Sequence, residues 1–213
     1  MDLECHSPLA AGPDPEPRRP ANRVDDADLL RAARECVLAN GLRRTTLTDV
    51  ARRAGVSRMT LYRRFPDVGS MVTKLVTVEF GEILQLAQTA KPDGNARQRL
   101  VAGVVHGVRL LHEAPLLRRV LETDGELLLP YLVERLGSTQ LAAESLLLDY
   151  LGAGHADGSI RPADPAVQAR SLLLLVQSFV ISAGPATKDV DADSLTTELT
   201  HLLDGALHPG SKS

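Results

Sequence analysis

The chain has no tryptophan, and aromatic residues make up only 3% of its 213 residues. A core without large rings must be built from Leu, Val and Ala, which favours packed helices over sheets rich in aromatic and β-branched residues. No sustained apolar–polar alternation of the kind a half-buried strand needs runs through it. Cysteine is equally scarce. Cys5 and Cys36 are the only two, too few and too far apart for a disulfide framework or a thiolate metal site. Cys36 sits beside Ala33 and Val37 on a helical face, where a small buried thiol fits. This usage reads as that of a reducing cytoplasm. The most apolar run, Leu172 to Ile181, is interrupted by Gln177 and Ser178 and falls well short of the roughly 20 residues that span a bilayer. No phosphate-cradling glycine loop, metal-ligand cluster or nucleophile elbow is present, so nothing points to an enzyme or calls for a cofactor or metal. Glu122, Asp124 and Glu126 read as a solvated helix end rather than an acid/base pair.

Lysine is the other scarcity: Lys74, Lys91, Lys188 and Lys212 are the only ones among 24 basic residues. The arginines are unevenly placed. Residues 41–66 hold Arg43, Arg44, Arg52, Arg53, Arg58, Arg63 and Arg64 against Asp49 alone, a net of +6 in a chain whose total is −3. A basic patch on an otherwise acidic protein is an electrostatic footprint for phosphate. A solvated arginine-rich helical surface is the blander alternative.

The same stretch reads as two short helices joined by a tight turn. Thr46 can cap the first, with Asp49 three residues on in the place of a capping-box acid. Leu47, Val50, Ala51 and Ala54 recur at helical spacing as a small apolar face. Gly55 ends that helix, Ser57 caps the next, Leu61 and Phe65 share its core side, and Pro66 stops it. Arg58, Met59, Tyr62 and Arg63 then face away from the core. This is a helix-turn-helix, which places one helix in the major groove of DNA.

Around it the pattern predicts further helices. One runs from an aspartate cap among Asp25, Asp26 and Asp28 through Asn40, closed by Gly41. A long one runs from Asp67 to about Thr89. Others cover Ala96–Glu113, Pro115 to about Thr123, and Glu126 to about Gly152 with a kink or break near Pro130. Gly154 to Pro162 reads as a turn-rich loop. Asp164 caps a helix with Pro165 at its first position, reaching about Ser182. Ala183–Ala186 breaks the chain before a last helix over Asp193–Leu207. Residues 1–22, with five prolines, read as a disordered arm rather than a signal peptide, and Arg18, Arg19 and Arg23 could touch DNA from it. Residues 209–213 read as a frayed end.

The chain resembles the TetR family of bacterial transcriptional regulators. Leu29, Leu30, Ala32, Ala33 and Gly41 resemble the family's first helix. Thr45, Thr46, Val50, Ala51, Ala54, Gly55, Val56 and Ser57 resemble its second helix and turn, and Thr60, Leu61, Tyr62 and Phe65 its recognition helix. Gly158-Ser159-Ile160-Arg161 followed by Asp164-Pro165 is similar to the family's entry into its dimerisation helices. The resemblance implies an all-α fold: a three-helix DNA-binding domain over 23–66, then a helical effector-binding and dimerisation domain over 67–208.

It further implies a double-stranded, palindromic DNA operator, a homodimer pairing helices near 165–182 and 193–207, and a repressor released by an apolar small-molecule effector. Ser57, Arg58 and Met59 would face base edges, while Arg44, Thr46, Thr60, Tyr62 and Arg63 would hold phosphates. Effector candidates are Leu84, Val105, Val108, Arg109, His112, Tyr131 and Leu132. Two positions depart from the family's habit: Arg64 stands where histidine is common, and Val68 where a phosphate-contacting lysine is common. A helical protein-interaction module with reduced or lost DNA binding is the competing reading, and burial within a monomer would serve the 172–181 run as well as a dimer would.

Overall fold

The computed structural model describes residues 25–89, 93–129 and 134–210. The arm over 1–22, Tyr131 and Leu132 lie outside the described residues. The described residues form helices and no strand. In chain order these are α1 Asp26–Asn40, α2 Leu47–Arg53, α3 Arg58–Arg64, α4 Val68–Ala87, α5 Ala96–Glu113 and α6 Pro115–Asp124. A 3-10 turn Gly125–Leu128 follows, then α7 Ser138–Ala156, α8 Pro165–Ile181, the one-turn α9 Ala183–Ala186 and α10 Ala192–Leu207. None of these helices alone is long and apolar enough to cross a membrane.

Helix boundaries follow capping chemistry. Thr46, Ser57, Asp67, Asn95, Asp164 and Asp191 each accept a backbone N–H in the first turn of the helix they precede. Three segments depart from the sequence expectation. The stretch after Glu126 is interrupted, as the expected kink or break allowed, but Pro130 itself lies outside the described residues and the non-helical residues 135–137 come later in the chain. A 3-10 turn opens it, and past the residues not described a helix starts at Ser138, where Gly137 is extended and its N–H is bound by the Gln140 side chain at 2.7 Å. α7 also runs on to Ala156, so the loop begins three residues later than Gly154. Ala183–Ala186 adds a helical turn instead of simply interrupting the chain.

The helices bury two adjoining cores. One gathers Leu29, Ala33, Val37, Val50, Leu61 and Phe65 of α1–α3 with Met71 and Leu75 from the first half of α4 and Leu116 of α6. The other gathers Leu100, Val108, Leu147, Leu151, Leu172, Leu199 and Leu203 from α5, α7, α8 and α10, together with Leu117 of α6. Adjacent residues of α6 thus serve different cores. Cys36 is buried in the first, and desolvation pushes its thiol pKa up despite the nearby Arg53.

Asp124, at the end of α6, is not the solvated residue its acidic neighbours suggest: only 3% of it is exposed. Its carboxylate accepts the Leu42 N–H at 2.8 Å, the Arg43 N–H at 3.4 Å and the Thr123 hydroxyl at 2.7 Å. Burial alone would raise its pKa. The hydrogen bonds and the Arg43 charge outweigh that and hold the carboxyl below its usual range. Gly41 makes this approach possible. Its φ is +83°, and a Cβ there would sit 3.3 Å from the Asp124 carboxylate.

Asp124→Ala leaves two loop N–H groups without their acceptor and should lower stability by about 1–3 kcal/mol in urea titrations. A depressed folded-state pKa contributes stability above the ordinary carboxylate pKa and loses it as pH falls through the folded value. The wild-type advantage over Asp124→Ala should therefore be full at neutral pH and shrink below about pH 4.

Candidate nucleic-acid interface and the cavity behind it

α2 and α3 are joined through Gly55, whose φ of +68° turns the chain with no close neighbour. Leu61 and Phe65 are buried beneath α3 while Arg58, Met59, Tyr62, Arg63 and Arg64 are exposed. Met59 is 79% exposed, the most open of the exposed large apolar side chains. A methionine standing in water at the start of a helix has no packing role to explain it.

The seven arginines of residues 41–66 divide into two groups. Arg52 is held by Asp49 at 2.6 Å and Arg53 by Glu35 at 2.9 Å. Arg64 pairs with Asp26 of α1, and Arg43 with Glu126 and, at 3.8 Å, Asp124. Such exposed pairs contribute little energy, yet they fix where each guanidinium points. Arg44, Arg58 and Arg63 have no partner among the described residues. The basic field is shared by all seven, but directed contact is open to these three.

The hydroxyl candidates are partly occupied. The Thr46 hydroxyl accepts the Asp49 N–H at 3.1 Å and donates to the Asp49 carboxylate at 2.5 Å. The Thr46 bond, with Arg52 beside it, keeps the Asp49 pKa low. The carboxylate answers the cap through the threonine hydroxyl, not through its backbone N–H as a full capping box would. Ser57 Oγ accepts the Thr60 N–H at 3.1 Å and shares a 2.9 Å bond with the Thr60 hydroxyl. Tyr62 is half exposed and its phenol has no partner among the described residues. Val68 is half-buried against the first core, which accounts for an apolar side chain at that position.

Behind this face lies a cavity of about 480 Å³, walled by α4, α5, α6, α7 and α8, within the range of about 300–1,000 Å³ common for small-molecule sites. Leu84 and Val108 of the sequence-derived set line it. Val105 is buried in the second core instead. Arg109 is exposed, and His112 is turned to the Phe179 carbonyl at 3.1 Å. The described lining is aliphatic, with Val72, Val76 and Phe80 of α4 facing Val104 and Leu111 of α5, and it holds no Asp, Glu, Lys, Arg or His.

Gln140 and Gln177 line it too, joined by a 2.7 Å hydrogen bond. Sequence reading passed over both, although Gln177 was visible as a polar residue breaking the run from Leu172 to Ile181. Asp124 was missed because nothing local in the sequence distinguishes a buried carboxylate from its solvated neighbours.

Comparison with known proteins meets this geometry from outside it. Residues 29–69 match the family model described as bacterial regulatory proteins, tetR family. An HTH-type transcriptional regulator of Mycobacterium tuberculosis is 37% identical over 179 residues, covering 84% of this chain and 92% of that protein. The fatty acid degradation regulator FadR from Bacillus halodurans superimposes with a TM-score of 0.65 at 17% identity, covering 84% of this chain and 93% of that one. FadR from Bacillus subtilis, solved in complex with stearoyl-CoA, gives 0.65 at 19% identity, covering 86% and 100%. The exposed recognition helix, the helical body and a relative alike over nearly its whole length agree: the chain belongs to the tetR family of bacterial regulatory proteins and is a helix-turn-helix transcriptional regulator.

Proposed function

We propose that the chain acts as a homodimeric repressor on a palindromic operator and is released from it by an apolar small molecule held in the α4–α8 cavity. In this reading residues 23–66 form the DNA-binding domain and 67–208 the effector-binding and dimerisation domain. The observation that carries it is the shared helix. α4 follows α3 directly through Phe65-Pro66-Asp67, packs Met71 and Leu75 into the first core, and presents Val72, Val76 and Phe80 to the cavity. Arg34 of α1 also grips Glu79 of α4 at 2.5 Å. A molecule that displaces α4 would move the recognition helix with it. Two recognition helices must meet successive major grooves roughly 34 Å apart, so a modest change in their separation lowers affinity.

An aliphatic occupant is supported by the Bacillus subtilis FadR structure, a protein of similar fold solved in complex with stearoyl-CoA. The dimer reading rests on exposed apolar residues. Val167 and Leu174 of α8 are 63% and 55% exposed. With Ser171 and Ser178 they form one row at helical spacing, and Leu202 of α10 is exposed as well. Exposed apolar groups on both helices suit a four-helix interface between copies.

On DNA, Arg58 and Met59 at the opening of α3 are assigned to base edges, with Ser57 beside them at the cap. Arg44, Arg63 and Tyr62 are assigned to phosphates, with Thr46 and Thr60 as supporting hydroxyls. Salt-dependent fluorescence anisotropy on DNA from upstream of the protein's own gene, against a scrambled duplex, tests this. Selective binding that weakens steeply with salt is expected, and equal weak binding to that DNA, to the scrambled duplex and to sequences from an unbiased operator selection would count against it.

Arg58→Ala should cost about 1–3 kcal/mol on the operator and relax discrimination at one base pair of each half-site. Arg63→Ala should weaken all sequences alike and reduce the salt slope by about 1 per half-site, while Tyr62→Phe should weaken all sequences alike without that change. A sequence-confined loss in either phosphate variant would contradict its assignment. Leu174→Glu should shift the protein to monomer in light scattering and lower operator affinity with it; an unchanged dimer would move the interface elsewhere.

A further inference from the structure

The cavity is lined mostly by apolar groups, and the polar side chains on its α4 wall are already engaged. The Thr73 and Thr77 hydroxyls donate to the Gly69 and Thr73 carbonyls at 2.9 and 2.7 Å, and the Gln88 amide donates to the Leu84 carbonyl at 3.1 Å. The exception lies where α7 begins. There the Gly137 N–H donates to Gln140 Oε1 at 2.7 Å, and Gln140 Nε2 donates to Gln177 Oε1 at 2.7 Å.

The direction of this relay is fixed by its first member. A backbone N–H can only donate, so the Gln140 atom it meets is the oxygen. Gln140 therefore turns its nitrogen to Gln177, which must accept through its own oxygen. The Gln177 Nε2 group is left with its N–H donors unpartnered among the described residues. The relay thus holds a neutral donor at one end of an aliphatic chamber. Ser138 and Thr139 line the same end. Tyr150, the other polar side chain that α7 gives to the described lining, lies ten residues beyond Gln140, about 15 Å from that end.

We infer that Gln177 reads a carbonyl oxygen on an uncharged aliphatic ligand (an ester, lactone, ketone or amide) with Gln140 as its positioning residue. This rests on the cavity being the effector site. The chemistry excludes the charged alternatives. A carboxylate or phosphate placed among these walls would be desolvated with no Lys, Arg or His on the described lining to meet it. An ammonium would find no carboxylate on the described lining either. A pure hydrocarbon fits the walls but leaves the Gln177 donors unsatisfied, so the carbonyl compound wins by the value of one hydrogen bond made in an apolar setting.

The test uses the full chain and three probes of matched length: methyl decanoate, decanoate and decane. Binding is measured by equilibrium dialysis, the ester carbonyl by infrared difference spectroscopy, and DNA release by anisotropy. The wild type should bind methyl decanoate about ten-fold more tightly than decane and more tightly than decanoate at neutral pH. The bound ester stretch should move to lower frequency than in hydrocarbon solvent.

Gln177→Leu should abolish both the preference over decane and the frequency shift while keeping decane affinity, which shows that the cavity is still folded. Gln140→Leu should keep part of the preference and broaden the carbonyl band, as expected of a donor no longer held in place. Equal affinity for ester and decane in the wild type, tighter binding of decanoate, or no saturable binding of any probe overturns the inference. Gln177-dependent ester binding that leaves DNA binding unchanged would keep the carbonyl site and remove the effector reading of the cavity. DNA release by decane and ester alike would do the reverse.

Discussion

A buried carboxylate holds the two halves of this molecule in register. Asp124 closes α6 and takes the backbone N–H groups of Leu42 and Arg43, the residues that lead from α1 into α2. A charge so placed is tolerated only while its donors stay in position, because an unpaired buried carboxylate is far more costly than a paired one is favourable. The arrangement therefore resists sliding of the helix-turn-helix over the helical body. Leu116 and Leu117 reinforce it by anchoring α6 in both cores at once. The DNA-binding end and the cavity are connected through α4 and α6, both of which line the cavity, and Leu42 of the α1–α2 connection lines it as well.

That double connection bears on how a ligand could act. A small molecule shifts a conformational equilibrium only by its differential affinity for the two states. If α4 alone joined cavity to DNA-binding end, filling the cavity could rotate the helix about a loose joint. Asp124 and the Arg34–Glu79 pair tie α1 and its following loop to α6 and α4, which favours movement of the three N-terminal helices together. On the proposed reading the unit that responds to the effector is the whole helix-turn-helix and its spacing from a second copy.

Most of the fold was legible because helix ends are local chemistry. Thr46, Gly55, Ser57, Asp67, Asp164 and Pro165 announce their boundaries within three or four residues, and the structure places them there. The stretch from Glu126 to Gly152 was not legible in the same way. Its apolar spacing suits a long helix kinked or broken near Pro130, and the actual start at Ser138 depends on Gly137 being capped from within by Gln140. The arginine-rich face was legible as charge but not as geometry. Which arginines are tied down depends on Glu35, Asp26 and Glu126, which lie 18, 38 and 83 residues away along the chain and are brought close only by folding. The cavity was least legible, since half of a lining pattern is indistinguishable from a core pattern until the opposing helices are placed. Val105 and Val108 are three apart on α5, yet one faces the core alone and the other also the cavity.

α8 carries the last step. One face of this helix puts Leu173, Val176, Gln177 and Val180 on the cavity, and another leaves Val167 and Leu174 in solvent. That second face alternates Val167 and Leu174 with Ser171 and Ser178, and its apolar pair is surface that a partner would cover. If that partner is another copy, the same rigid rod touches ligand and dimer interface. Gln177 and Leu174 are then three residues apart on one element. A hydrogen bond formed at Gln177 would bias the angle at which α8 meets its counterpart, and that angle sets the distance between the two recognition helices. Ligand, dimer and operator would then be coupled through the helices that wall the cavity, α8 at one end and α4 with α6 at the other, with no need for any segment to fold or unfold.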